Sequence, residues 1–397
     1  MYDAARHVRL TSVDWSPAAA RAAIAEIVAD AVAAFDTDRY WPAHPMDDDA
    51  PDGSTGLYLG AAGMLWGLDF LARENAADHG IDVPALTPRL LEANRTEFDA
   101  VARISGVELH RASWLFGDPP ILLMQMRSGD TSAADELHRR IEIGLDLPPL
   151  ELMWGFAGTM LACVFAHAFD GADRWRELYL AQARQLLCEL EESEFGPIWT
   201  QDLYGAERRF LGPVHGYAGN VLALLKGWDW LSEAERAQLR AAAPATLGAN
   251  AHRKDGMANW HGLACPEPPD LVQYCHGAPG MVTSMADVRI VEPAFVSLLE
   301  EGGSLTWRAG PLAKGSNLCH GTAGNGFAFL KLAQLSGDPT WTSHARAFAM
   351  NAIDQYRAAK AEHGRGRYTL WTGDLGLAIY LHECLGGSAR FPTVDMF

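Results

Sequence analysis

A Gly-x-x-Gly turn followed by an apolar helical run recurs along this chain, and that repeat limits the folds open to it more than any other feature. The copies are Gly60-Ala-Ala-Gly63, Gly155-Phe-Ala-Gly158, Gly216-Tyr-Ala-Gly219, Gly277-Ala-Pro-Gly280, Gly321-Thr-Ala-Gly324 and Gly373-Asp-Leu-Gly376, with Gly117-Asp-Pro-Pro120 as a degenerate seventh. Their spacing is irregular, yet each interval holds one helix pair. Runs after the turns, such as GYAGNVLALLKGWDWL, are apolar around most of their circumference, while the intervening DRWRELYLAQARQLLCELEES and SHARAFAMNAIDQYRAAKAE are amphipathic. Strand signals are sparse. The economical reading is an all-α chain forming one domain over 1–397, a closed α/α toroid of seven inner helices ringed by seven outer ones. Glycine suits the turns because it takes positive φ and admits close backbone approach. Each turn would set the N-terminus of an inner helix, with unpaired N–H groups, on one face of the ring.

Two of the turns open with the same triplet, Cys275-His276-Gly277 and Cys319-His320-Gly321. Two cysteines from distant turns plus one imidazole would give Zn²⁺ three protein ligands and a free fourth position, the pattern of a catalytic zinc site. The other cysteines divide differently. Cys163, Cys188 and Cys384 lie in helical, apolar contexts that suggest inert core thiols, and Cys265, before Pro266, is open.

The balance of 32 Lys plus Arg against 50 Asp plus Glu gives a formal charge of −18, which argues against nucleic acid or an anionic membrane as partner. Charged residues punctuate the N-terminal stretch, and no apolar run is long enough to span a bilayer. Six dispersed cysteines fit a reducing compartment, so a cytoplasmic protein is expected. Polar segments at 41–56, 196–214, 252–272 and 300–318 connect the units and would shape a substrate groove where they approach His215, Cys275 and Cys319.

The strings LVQYCHGAPG, KGSNLCHGTAGN, GPVHGYAG and ELMWGFAG, with the C-terminal ARFP, resemble the lanthionine synthetase C-like family through essentially the whole chain, and lie closer to its eukaryotic-type branch than to nisin-type cyclases. The resemblance implies one zinc ion per chain, with Cys275, Cys319 and His320 as ligands. It implies addition of a thiolate to the β-carbon of dehydroalanine or dehydrobutyrine, giving a thioether. The enolate formed must be protonated at the α-carbon, and His215 matches the family's acid. Glu151, where lanthipeptide cyclases commonly carry Asp, would orient His215 or else sit solvated at a helix start. His276 would donate to the enolate oxygen or pack behind the metal. Lys314 matches a lysine that helps hold glutathione, and Arg365 and Arg367 are candidates for a substrate carboxylate or phosphate. Tyr274 supplies an aromatic wall, and Asp374 and Asn325 would line the face or cap their helices. Three activities follow: glutathione addition to dehydroamino acids in peptides or proteins, slightly favoured; cyclisation of a precursor peptide through its own cysteine thiol; or a zinc- and glutathione-binding scaffold without turnover.

Overall fold

Apolar residues on every side of a short helix leave it no solvent face, and the helices that follow the turns are accordingly buried. In the computed structural model, which describes residues 1–11, 13–47, 53–105, 110–146, 150–287, 289–290 and 292–397, seven such helices form an inner ring. They are α2 (Ala61–Arg73), α4 (Pro119–Arg127), α6 (Phe156–Asp170), α8 (Tyr217–Lys226), α10 (Ala278–Met285), α12 (Thr322–Ser336) and α14 (Asp374–Gly386). Outside them lie α1 (Pro17–Ala34), α3 (Val83–Ser105), α5 (Thr131–Ile143), α7 (Asp173–Cys188), α9 (Glu233–Ala249), α11 (Pro293–Ala309) and α13 (Pro339–His363). Each inner helix touches the next, α14 returns to α2, and α1 packs on α14, so the double ring closes. Helix α8 buries every residue from Tyr217 to Leu225, whereas α7 buries Trp175, Leu178, Tyr179, Gln182 and Leu186 at helical spacing and exposes its charges. No helix among the described residues is long and apolar enough to cross a membrane.

The glycines act mainly through close approach. A Cβ at Gly63 would lie 2.2 Å from the Leu57 carbonyl oxygen, and one at Gly324 would lie 1.7 Å from that of Leu318. The expectation of positive φ holds at Gly277 (φ 119°), while Gly60, Gly155, Gly216, Gly321 and Gly373 are extended. The expected unpaired N–H groups are also corrected. At turn one Ala61 and Ala62 donate to the carbonyls of Ser54 and Thr55, and at turn six Thr322 and Ala323 donate to those of Gly315 and Ser316. The turn folds back on its own helix start and consumes those donors.

Residues 391–397 cross the middle of the ring. Phe397 packs on Trp66, Trp114 and Phe165, and Phe391 packs on Tyr274, Trp371 and Phe327. Asp395 pairs with Lys226 and, at 2.8 Å, with Lys331. Burial opposes its ionisation, but the two ammonium groups outweigh that and hold the carboxyl well below its usual range.

Two of the connecting segments carry small hairpins, β1 (Gln201–Leu203) with β2 (Ala206–Arg208) and β3 (His252–Lys254) with β4 (Met257–Asn259). The segment expected at 300–318 is helical as far as Ala309, because its apolar positions pack α11 on α10 and α12. Of the segment 41–56, residues 48–52 lie outside the described residues. Cys163 and Cys384 are buried as expected, but Cys188 is exposed, since it falls with Arg184 and Gln185 on the solvent face of α7.

Candidate active site

Aligned on the first glycine, the seven turns share one register. Tyr58, Cys275, Cys319 and Trp371 stand two places before it, and Trp154, His215, His276 and His320 stand one place before. At the first of these positions the backbone is stitched from turn to turn: Cys275 N–H donates to Cys319 O at 3.1 Å, Cys319 N–H to Trp371 O at 2.9 Å, and Trp371 N–H to Tyr58 O at 3.3 Å. The side chains of turns five, six, seven and one are thereby gathered on one arc. Turns three and four join in the same way, Leu152 N–H to Val214 O at 3.1 Å. Among the described residues no such bond joins turns four and five. There Gly212 packs so closely that a Cβ would lie 2.4 Å from Cys275 O.

The donor atoms of Cys275, Cys319 and His320 all lie within 4.8 Å of one another. Tyr58 Oη donates to Cys319 Sγ at 2.9 Å, and Gln273 Nε2 donates to Cys275 Sγ at 3.0 Å. The backbone N–H of His320 is held by Asn317 Oδ1 at 3.0 Å. The hydrogen bond between the Cys275 and Cys319 side chains lowers the Cys275 pKa well below the ordinary thiol value and raises that of Cys319, while burial pushes both up. Burial and then the Cys319 sulfur raise the Tyr58 phenol, which keeps its proton and remains a donor. Two sulfurs and an imidazole within reach of one centre, each sulfur receiving a further donor, form a set that fits zinc.

Glu151 is fully buried. Its carboxylate accepts from the backbone N–H of Met153 at 3.1 Å, from that of Trp154, and from His215 Nδ1 at 2.9 Å. The solvated alternative for Glu151 therefore falls. With Nδ1 committed to the carboxylate, Nε2 is the ring nitrogen of His215 left for chemistry. Asn220 fastens the preceding backbone by donating to Leu150 O at 2.7 Å, and Asn325 does the same to Val272 O at 2.9 Å, so Asn325 is a strut between turns.

Lys314, Arg365 and Arg367 line one small pocket of about 40 Å³ with His44, Asn317 and Asp374. Arg367 is already committed, to Asp47 Oδ1 at 2.7 Å and to Met46 O at 3.1 Å, so its guanidinium braces the 44–47 loop. Lys314 and Arg365 form no ion pair among the described residues. Asp374 accepts from Arg367 N–H at 2.7 Å, and burial raises its pKa to about 7. His276 lines a separate cavity of about 210 Å³ with Phe210, Trp260 and His261, and its buried Nδ1 has no hydrogen-bond partner among the described residues. Cys265 Sγ sits 3.1 Å from His261 Nδ1. A larger cavity of about 690 Å³, bounded by residues 34–36 and 38–42, Gly53, Thr55 and Ala93, touches none of these groups.

Sequence reasoning missed Tyr58, Gln273 and Tyr204. Aligning the turns would have found Tyr58, which shares the register of the two cysteines. Tyr204, at the tip of the β1–β2 hairpin, meets the His215 ring edge-on with centroids 5.8 Å apart.

The family model described as lanthionine synthetase C-like protein matches residues 48–396. Among curated relatives, LanC-like protein GCL1 of Arabidopsis thaliana is 35% identical over 136 residues, covering 32% of this chain and 30% of the relative. Glutathione S-transferase LANCL1 of Danio rerio is 31% identical over 134 residues, 32% of each chain. The aligned stretch spans less than a third of the length of either relative. Among solved structures, nisin cyclase superposes with a TM-score of 0.57 at 14% identity, over 83% of this chain and 88% of that one, a likeness of fold.

Proposed function

Because this chain belongs to the lanthionine synthetase C-like family, we propose that it adds a thiol to dehydroalanine or dehydrobutyrine in a peptide or protein, with glutathione as the favoured thiol. The observation that carries this reading is the convergence of Cys275, Cys319 and His320 from two separate turns. These three would hold zinc, and zinc bound there lowers the pKa of a coordinating thiol, supplying nucleophilic sulfur near neutral pH.

The remaining work falls to the chain's own residues. Tyr58 and Gln273 direct their donors at the two cysteine sulfurs and fix their orientation. Addition forms the carbon–sulfur bond at the β-carbon and sends the π pair to the carbonyl oxygen. His215 then delivers a proton from Nε2 to the α-carbon, and Glu151 stabilises the imidazolium before transfer. Buried Nδ1 of His276 faces the close-packed glycines at 212 and 262, which favours the packing role for that ring. Lys314 and Arg365, which form no ion pair among the described residues, offer two cations for the carboxylates of glutathione beside the turn that carries Cys319. A reducing, cytoplasmic setting is what free thiols require.

Mass spectrometry of a dehydrobutyrine peptide with a distal cysteine, incubated with zinc-loaded protein and glutathione, tests the reading. Enzyme-dependent gain of one glutathione supports it. Loss of the free thiol without a mass change assigns the same residues to peptide cyclisation. Zinc binding with neither product leaves the non-catalytic scaffold.

A further inference from the structure

The two hairpins of this fold make the same tight turn with different residues. In β3–β4, Lys254 pairs with Met257 and the two loop residues are Asp255 (φ 55°) and Gly256 (φ 72°), an Asp-Gly pair suited to a left-handed turn. In β1–β2, Leu203 pairs with Ala206, and the loop residues with the same φ values are Tyr204 and Gly205. A bulky aromatic residue in the left-handed region is an outlier that the turn itself does not ask for. Its side chain has a defined place. Tyr204 is 56% exposed, yet its Oη accepts from Trp154 Nε1 at 2.9 Å, and its ring stands at 84° to that of His215. Having accepted from Trp154, the phenol still has its own proton to give. Among the described residues the sole acceptor for it is the Met153 thioether at 4.0 Å, a weak one. Partial withdrawal of the phenol from water and the nearby Glu151 carboxylate raise its pKa against the opposing Trp154 donor, so the proton is present at neutral pH.

We propose that Tyr204 is a further catalytic residue, donating a hydrogen bond to the carbonyl oxygen of the dehydroamino acid while His215 protonates the adjacent α-carbon. The inference rests on the thioether-forming reading above. As sulfur bonds to the β-carbon, the carbon–carbon π pair moves onto the carbonyl oxygen. The phenol shares that charge without giving up its proton, and transfer from His215 to the α-carbon restores the carbonyl. The α-carbon and the oxygen are bonded to the same carbon and lie about 2.4 Å apart. An acid for one and a donor for the other must therefore be neighbours, as the two rings are. A donor aimed at developing oxyanion charge acts on the transition state more than on substrate binding.

The test uses full-length zinc-loaded protein, glutathione and a dehydrobutyrine peptide. Tyr204→Phe keeps the ring, and its kcat should fall roughly tenfold to a hundredfold, with KM nearly unchanged and zinc content and melting temperature as in the wild type. Trp154→Phe, which removes the group orienting the phenol, should give a smaller loss. With a vinyl ketone acceptor, whose enolate is intrinsically more stable, the Tyr204→Phe loss should shrink toward none, whereas a merely structural role would slow both acceptors equally. Wild-type turnover with an unimpaired Tyr204→Phe variant, or equal losses on both acceptors, overturns the proposal and leaves the thioether reading standing. A loss confined to His276→Asn assigns the donor to turn five instead. A wild type inactive with glutathione and with an internal cysteine alike overturns the thioether reading, and the role of Tyr204 with it.

Discussion

Turns five and six meet through one backbone hydrogen bond, Cys275 to Cys319, and turns three and four meet through another, Leu152 to Val214, both at 3.1 Å. What the two joins present is opposite in character. On the first, donors converge on sulfur: Tyr58 on Cys319 and Gln273 on Cys275. On the second, backbone amides converge on a buried carboxylate, which in turn orients an imidazole. One backbone solution thus presents two sulfurs with an imidazole at one join and a carboxylate with an imidazole at the other, and the side chains one, two and four places before the first glycine decide which. Where the two halves abut, at turns four and five, close glycine packing replaces the hydrogen bond.

If the halves do separate work, breaking them should have separable consequences. Cys319→Ala or Cys275→Ala should remove both zinc and turnover, a fall of at least about a thousandfold, read by metal analysis and product formation. His215→Asn should retain zinc and lower kcat by about a hundredfold to ten-thousandfold. Glu151→Gln should also retain zinc. Its amide would set an NH₂ against inward-pointing N–H groups of Met153 and Trp154, or leave one of them unpaired, so a stability loss of about 1–3 kcal/mol should accompany a smaller drop in kcat, measured by denaturant unfolding and steady-state kinetics. The smallest effect is expected at Tyr58→Phe. The ring contacts with Phe116 and Trp371 would survive and the sulfur would lose its donor, weakening zinc binding about tenfold in a chelator competition. A Tyr58 variant that slowed proton transfer while leaving zinc affinity unchanged would break the division between the halves.

The ring was legible because its signals are local and repeated. A glycine pair that must admit a carbonyl oxygen and an apolar run with no polar stripe are visible in any one copy, and the CHG triplets stand out against them. Distant partners that share a recognised motif, such as Glu151 with His215, were legible, but single residues outside any motif were not. Tyr58 acts only because turn one lies on the same arc as turn six, and Tyr204 matters only because a hairpin tip falls beside His215. Arg367, a candidate for a substrate anion, also pairs with Asp47, a contact that spans nearly the whole chain and leaves no trace in spacing. Cys188 looked like a core thiol because Leu186 and Leu187 precede it, and is exposed because it lies with Arg184 and Gln185 on the solvent face of α7. Of the polar segments, 300–318 is helical as far as Ala309, and the hairpin within 196–214 turns at Tyr204, a residue that no turn preference would have picked.

The most direct test of the division between the halves is the zinc content of Cys319→Ala and His215→Asn, purified side by side under reducing conditions. Retention of an equimolar amount of zinc by His215→Asn and its loss from Cys319→Ala is the expected result. Equal retention or equal loss in the two variants would contradict it.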